Sequence, residues 1–220
     1  MKSFQPAVLL VLLLLLGSLK VAALDFERMQ SRLSQRFGAV AVASFHDWKK
    51  LLADNAEQPV PAQLKLVNDF FNRRIRFGED QEIWGQSDYW ATPMDTLGRG
   101  AGDCEDFAIA KYFTLTLLRV PDEKLRLIYV QARLGGVNSS ITQAHMVLAY
   151  YPEPSAEPLI LDNLISELQP ASRRPDLQPV FSFNRQGLWQ GASGARGSGG
   201  PASLSRWEEL LQRARAEGFD

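Results

Sequence analysis

The chain has 220 residues, 45% of them apolar and 22% charged, which fits one folded domain and excludes global disorder. Its formal net charge is −1, so it lacks the basic excess of a nucleic-acid binder. A single cysteine, Cys104, excludes an internal disulfide framework.

Lys2 precedes an almost pure Ala/Val/Leu run, Ala7 to Leu16, and Val21-Ala22-Ala23 offers small residues to a signal peptidase. The run is shorter than the roughly 20 residues a membrane span requires, so residues 1–23 read as a secretory signal. An uncleaved anchor is the alternative. A single domain is then expected over residues 24–220, working outside the cytoplasm.

Phe26, Met29, Leu33 and Phe37 recur at spacings of three and four, which predicts an amphipathic helix over Phe26–Phe37. A second helix is expected behind a Ser44 cap, carrying His46, Trp48, Leu51 and Leu52. A third follows Pro61 to about Phe77, burying Leu64, Val67, Phe70, Phe71 and Ile75. Gly78 to Gly102 reads as loop. A helix opens at Cys104, with Ala108, Ile109, Tyr112, Phe113 and Leu117 inward, and ends by Pro121. Strands are expected at Leu125–Arg133, Gln143–Tyr151 and Leu159–Asp162, with a weaker one at Pro179–Asn184. Residues 190–203 are expected to form a flexible segment, centred on the Gly/Ser-rich Ser193–Gly200. Ser203 or Ser205 would cap a terminal helix through Trp207, Leu210 and Leu211. Helices followed by antiparallel strands make the fold class α+β.

Gly100-Ala101-Gly102-Asp103-Cys104 places the thiol in the first turn of a helix. The free N–H groups there favour a thiolate and can hold an oxyanion. Of the two histidines, His46 lies in an early, exposed-looking helix, whereas His145 interrupts the apolar run Ala144-His145-Met146-Val147-Leu148. Asp162 closes the next apolar run, Leu159-Ile160-Leu161, where it can orient an imidazole. Cys104, His145 and Asp162 thus read as nucleophile, base and orienter. Asp103, Glu105 and Asp106 flank the thiol, where like charge opposes thiolate formation. From the residues alone they are either a carboxylate-rich helix start or a cation site. Trp90 or Trp84 could add an indole N–H to the oxyanion hole.

The string Gly102-Asp103-Cys104-Glu105-Asp106-Phe107-Ala108, with Ala144-His145-Met146-Val147-Leu148 and Leu161-Asp162-Asn163-Leu164, resembles the bacterial transglutaminase-like cysteine proteinases. Tyr89-Trp90-Ala91-Thr92-Pro93 and Leu125 to Val130 extend the resemblance, which spans roughly Trp84 to Leu164. It implies a papain/transglutaminase-like fold, with the nucleophile helix packed on an antiparallel sheet. It implies a Cys104–His145–Asp162 triad and Ca²⁺ held by Asp103, Glu105 and Asp106. The adhesin-cutting branch of the family further implies a periplasmic enzyme that releases a large repeat-rich surface adhesin and so controls biofilm attachment. Its partner there is an inner-membrane cyclic-di-GMP receptor of the LapD type. A transglutaminase or amidase acting on side chains or peptidoglycan is the alternative reaction, and a binding module with a vestigial thiol the non-enzymatic one.

Overall fold

The structure, a computed structural model, describes residues 24–136, 138–192 and 204–219. Residues 1–23, read as a signal, and the Gly/Ser-rich stretch lie outside them. Helix α1 runs Phe26–Phe37 as the spacing predicts, its N-terminus capped by the Asp25 carboxylate on the Arg28 amide. Gly38, at φ +80°, turns the chain directly into α2, Ala39–Asn55. Ser44 therefore lies inside that helix and is not its cap. Helix α3, Val60–Arg74, stops short of Phe77, because Ile75 is extended and Arg76–Phe77 form strand β1.

The stretch expected to be loop is largely ordered. It holds α4 (Asp80–Ile83), α5 (Pro93–Arg99) and β2 (Ala101–Gly102). A capping box starts α5: the Thr92 hydroxyl accepts from the Asp95 amide and the Asp95 carboxylate accepts from the Thr92 amide. Strands β1 and β2 pair in parallel, Arg76 with Ala101 and Phe77 with Gly102, which pins the turn before Cys104 to the end of α3.

Helix α6, Cys104–Leu117, is buried without interruption from Asp106 to Leu115. A helix buried on every side belongs at the centre of a domain. It packs against α3, α5 and the sheet, and Thr114 Oγ1 accepts from the Trp48 indole at 2.9 Å. The sheet is antiparallel, in the order β6-β5-β4-β3-β7-β8. Its strands are β3 (Leu125–Arg133), β4 (Thr142–Tyr150), β5 (Leu159–Leu161), β6 (Gln169–Pro170), β7 (Leu177–Phe183) and β8 (Leu188–Gln190). The sequence left β6 and β8 unread, because two- and three-residue edge strands have no periodicity to detect. Gln190, expected to begin the flexible segment, ends β8.

Helix α7, Ser205–Glu217, has no side-chain cap: Leu204 occupies the cap position and Ser205 is the first helical residue. Trp207 is fully buried and meets Tyr112, Phe113 and Phe183 with rings tilted or edge-on. The C-terminal helix is therefore part of the core. Trp207→Ala is expected to lower unfolding free energy by about 3–5 kcal/mol, the cost of an aromatic-sized cavity. Equilibrium denaturation measures this, and a loss below about 1 kcal/mol would mean the helix is peripheral.

Candidate active site

Three segments converge at the start of α6. Cys104 lies in its first turn, partly buried. His145 lies on β4, on the face that carries Val147 and Ala149, and Asp162 directly follows β5, the strand paired with β4. His145 Nε2 is 2.8 Å from Asp162 Oδ1, and both residues are almost wholly enclosed. The Met146 amide points at the Cys104 sulfur, so β4 carries both the imidazole and a donor to the thiol. Cys104 and His145 share a cleft of about 460 Å³ with Trp90, Tyr129, Met146 and Phe181. They also line a small cavity of about 30 Å³ beside Phe77, Leu134 and Leu164. His46, by contrast, is exposed and bonded to Gln30.

Asp162 is doubly held. Its Oδ1 also accepts from the Leu164 amide at 3.0 Å, and its Oδ2 from Arg174 Nη2 at 2.7 Å. Burial alone would raise its pKa, but the bonds from His145, Leu164 and Arg174 prevail and bring it down to about 2. Arg174 stands in the run Arg173-Arg174-Pro175-Asp176, where no spacing marks it, so sequence reading missed it.

The acidic cluster is larger than the sequence implied. Oxygens of Asp80, Asp103 and Asp106 lie within 4.8 Å of one another, and those of Asp80, Asp88 and Glu105 form a second such group. Asp80 belongs to both, yet its place in a four-residue helix gave no signal. The Asp80 carboxylate accepts from the Tyr89 amide, and Asp106 Oδ1 from the Ala91 amide at 2.7 Å. Asp80 Oδ1, Asp103 Oδ1 and Asp106 Oδ2 are buried without a protein partner. Such oxygens fit a hard divalent cation, which takes carboxylate ligands. Burial, reinforced by mutual repulsion, pushes Asp80 up to about 6 and Asp103 up to about 10, and raises Asp106 well above the carboxylate range.

The cluster also governs the thiol. Cys104 Sγ donates to Glu105 Oε2 at 3.0 Å, and burial, then Glu105, hold the thiol well above its ordinary pKa. Among the oxyanion candidates, Trp90 lines the cleft and stacks on Phe183, with centroids 5.6 Å apart. Trp84 packs instead against Tyr89 and beneath Arg99.

Residues 47–176 match the family model of the bacterial transglutaminase-like cysteine proteinases. The chain is similar to solved structures of LapG from Legionella pneumophila. The EGTA-treated form is 40% identical, with a TM-score of 0.74 over 86% of this chain and 97% of that one. The calcium-bound form is 43% identical, with a TM-score of 0.71 over 86% and 98%. A search of curated proteins finds no match.

The raised carboxylates fix a pH dependence. Between their ordinary and raised pKa values the folded chain binds more protons than the unfolded chain, so stability falls as pH rises. In chelator, the melting temperature should therefore drop from about pH 4 through 6, where Asp80 titrates, and on toward 10 for Asp103. Asp162 acts oppositely, its contribution being lost below about pH 4 as it falls toward 2. Calorimetry across this range is the check. A flat profile above pH 4 would contradict the clustering of buried carboxylates.

Proposed function

The chain belongs to the bacterial transglutaminase-like cysteine proteinases, and we propose that it is a calcium-dependent periplasmic endopeptidase. Its substrate is a large repeat-rich surface adhesin, cut near its N-terminus so that the cell's biofilm attachment is released. An inner-membrane cyclic-di-GMP receptor of the LapD type is its sequestering partner. The likeness to LapG supports this reading, as does the secretory character of residues 1–23. The observation that carries the chemistry is the enclosed His145–Asp162 bond beside Cys104.

An ionised carboxylate only accepts hydrogen bonds, so Asp162 holds the imidazole proton on Nε2 and leaves Nδ1 to accept the thiol proton. Cys104 Sγ then attacks the scissile carbonyl, and the Cys104 amide at the helix start stabilises the developing oxyanion, with the Trp90 indole in the cleft as the candidate second donor. His145 returns the proton to the leaving amine, and water hydrolyses the thioester with His145 again as base. The cleft of about 460 Å³ beside the Cys104–His145 pair has room for part of a substrate chain. Asp80, Asp103, Glu105 and Asp106 would hold Ca²⁺, with Asp88 within reach of the same cluster. When bound, the ion neutralises the charge that otherwise keeps the thiol protonated.

Incubation with the adhesin's N-terminal region tests the reaction, since a cut chain, a crosslinked chain and no covalent change separate the three possible activities. Cys104→Ala and His145→Ala are expected to abolish cutting. Asp162→Asn should lower kcat by about two or more orders of magnitude, by analogy with the serine triad. Near-normal turnover in any of them would refute the triad.

Titration calorimetry addresses calcium directly. A saturable Ca²⁺ heat is expected, with Mg²⁺ a poor substitute because it demands near-octahedral geometry and releases water reluctantly. Asp80→Asn and Asp103→Ala should each weaken that heat at least about ten-fold, the first being the residue sequence overlooked. Full activity in chelator, with no Ca²⁺ heat, would reduce the cluster to a protonated helix start.

A further inference from the structure

We propose that Arg174 is a positioning residue for catalysis, acting through Asp162 to fix the ring of His145. The inference rests on the reading of Cys104, His145 and Asp162 as a triad. Arg174 Nη2 lies 2.7 Å from Asp162 Oδ2 and 2.8 Å from Asp176 Oδ2, and its Nε lies 3.0 Å from Asp176 Oδ1. The guanidinium thus bridges two carboxylates, a task its planar fork suits and an ammonium does not. Asp176 is itself anchored, its carbonyl accepting from the Arg133 amide at the end of β3 at 2.8 Å. A chain of contacts runs from His145 through Asp162 and Arg174 to Asp176, and it is tied to the sheet at both ends.

Geometry explains why this arrangement serves the ring and not merely the fold. The side chains of Asp162 and Arg174 are 0% and 2% exposed. Ion pairs so enclosed are poor sources of stability, because desolvation cancels most of their attraction. What the bridge supplies is orientation. With Oδ2 held by Arg174, the carboxylate cannot rotate Oδ1 away from His145 Nε2. Lys111, also buried, feels Asp162 electrostatically, but burial lowers its pKa to about 7. Burial thus works against its charged form, whereas the guanidinium of Arg174 stays protonated.

Two readouts that need no adhesin test this, so failure to find cleavage would not disturb them. One is the rate at which iodoacetamide alkylates Cys104, the sole cysteine, in protein kept in calcium-containing buffer. The other is the imidazole ¹⁵N–¹H spectrum, in which exposed His46 serves as the internal control. Arg174→Met should slow alkylation between about 10- and 100-fold, the scale of a misplaced catalytic group. It should also convert His145 from one tautomer, protonated on Nε2, to a mixture. Arg174→Lys should lie between, at about three-fold or more. Asp162→Asn should slow alkylation comparably to Arg174→Met, and adding Arg174→Met to it should slow the reaction no further, because both changes act through one carboxylate.

Wild-type rate and ring signals in folded Arg174→Met would overturn the proposal, as would losses that multiply in the double variant. If Arg174→Met does not fold, Arg174→Lys decides, and wild-type values for both readouts there overturn it. An unaffected Asp162→Asn would remove both this inference and the triad beneath it, whereas an unaffected Arg174 variant alone would spare the triad.

Discussion

Asp106 brings a carboxylate to a point of zero exposure two residues after Cys104, and the surrounding chain is arranged to accommodate it. A Cβ on Gly102 would lie 2.7 Å from that of Asp106, so only glycine lets the preceding turn come so close. The same glycine accepts through its carbonyl from the Gly78 amide at 3.1 Å, which ties the turn to the chain leaving α3. The Ala91 and Tyr89 amides reach in from a third segment, toward Asp106 and Asp80. Three stretches distant in sequence thus fold around a knot of acid groups. Either protons or a cation must relieve the repulsion there, because burial leaves too little water to screen it.

The sheet supplies an opposing influence. His145, Asp162, Arg174 and Asp176 form a chain, each within hydrogen-bond distance of the next. Near the sulfur the two systems conflict. The acidic side, through Glu105 Oε2, keeps the proton on the thiol, while on the proposed reading the imidazole side removes it. Glu105 is the residue on which this balance turns, since it contacts the sulfur and also shares a group with Asp80 and Asp88. On the proposed reading, neutralising that group weakens its hold on the thiol and leaves the imidazole to prevail. Calcium dependence then follows from position, with no large movement of the chain.

Much of this was legible in the sequence, for identifiable reasons. α1 has the predicted bounds because its periodicity is unbroken over 12 residues, and β3 because its apolar run is bounded by Asp122–Lys124 and Gly135-Gly136. Cys104, His145 and Asp162 stood out because polar residues interrupted glycine-rich or apolar text. The acidic triplet was visible because its members are adjacent. Asp80 and Arg174 were not, since each reaches the site from an irregular segment whose path only tertiary packing decides. The same reason hides α5: its Thr92-Pro93 start lies among residues that otherwise favour loops, and the capping box becomes decisive only once the helix is packed. Periodicity reports what faces the core, and neither a buried ion-pair relay nor a cation cage has a period.

The cleft depends on a part of the chain that the motif resemblance did not reach. Its aromatic wall is Trp90 stacked on Phe183, and Phe183 in turn rests on Trp207 of α7. Arg213, two turns along that helix, donates to the Trp90 carbonyl at 2.6 Å and to the Tyr89 hydroxyl at 2.7 Å. Arg206 also touches the segment, through a 2.9 Å pair with Asp88 at the cleft mouth, but its side chain is 55% exposed. An exposed pair of that kind contributes about 0–1 kcal/mol, against several for a buried tryptophan. The wall is therefore held from beneath by Trp207 and Arg213, and the Arg206–Asp88 contact can open at little cost. Because the Tyr89 amide binds Asp80 and the Ala91 amide binds Asp106, the segment that presents Trp90 is fixed on one side by α7 and on the other by the acidic cluster. The cleft wall and the proposed cation site are consequently one mechanical unit, and a change at either reaches the other through three consecutive residues.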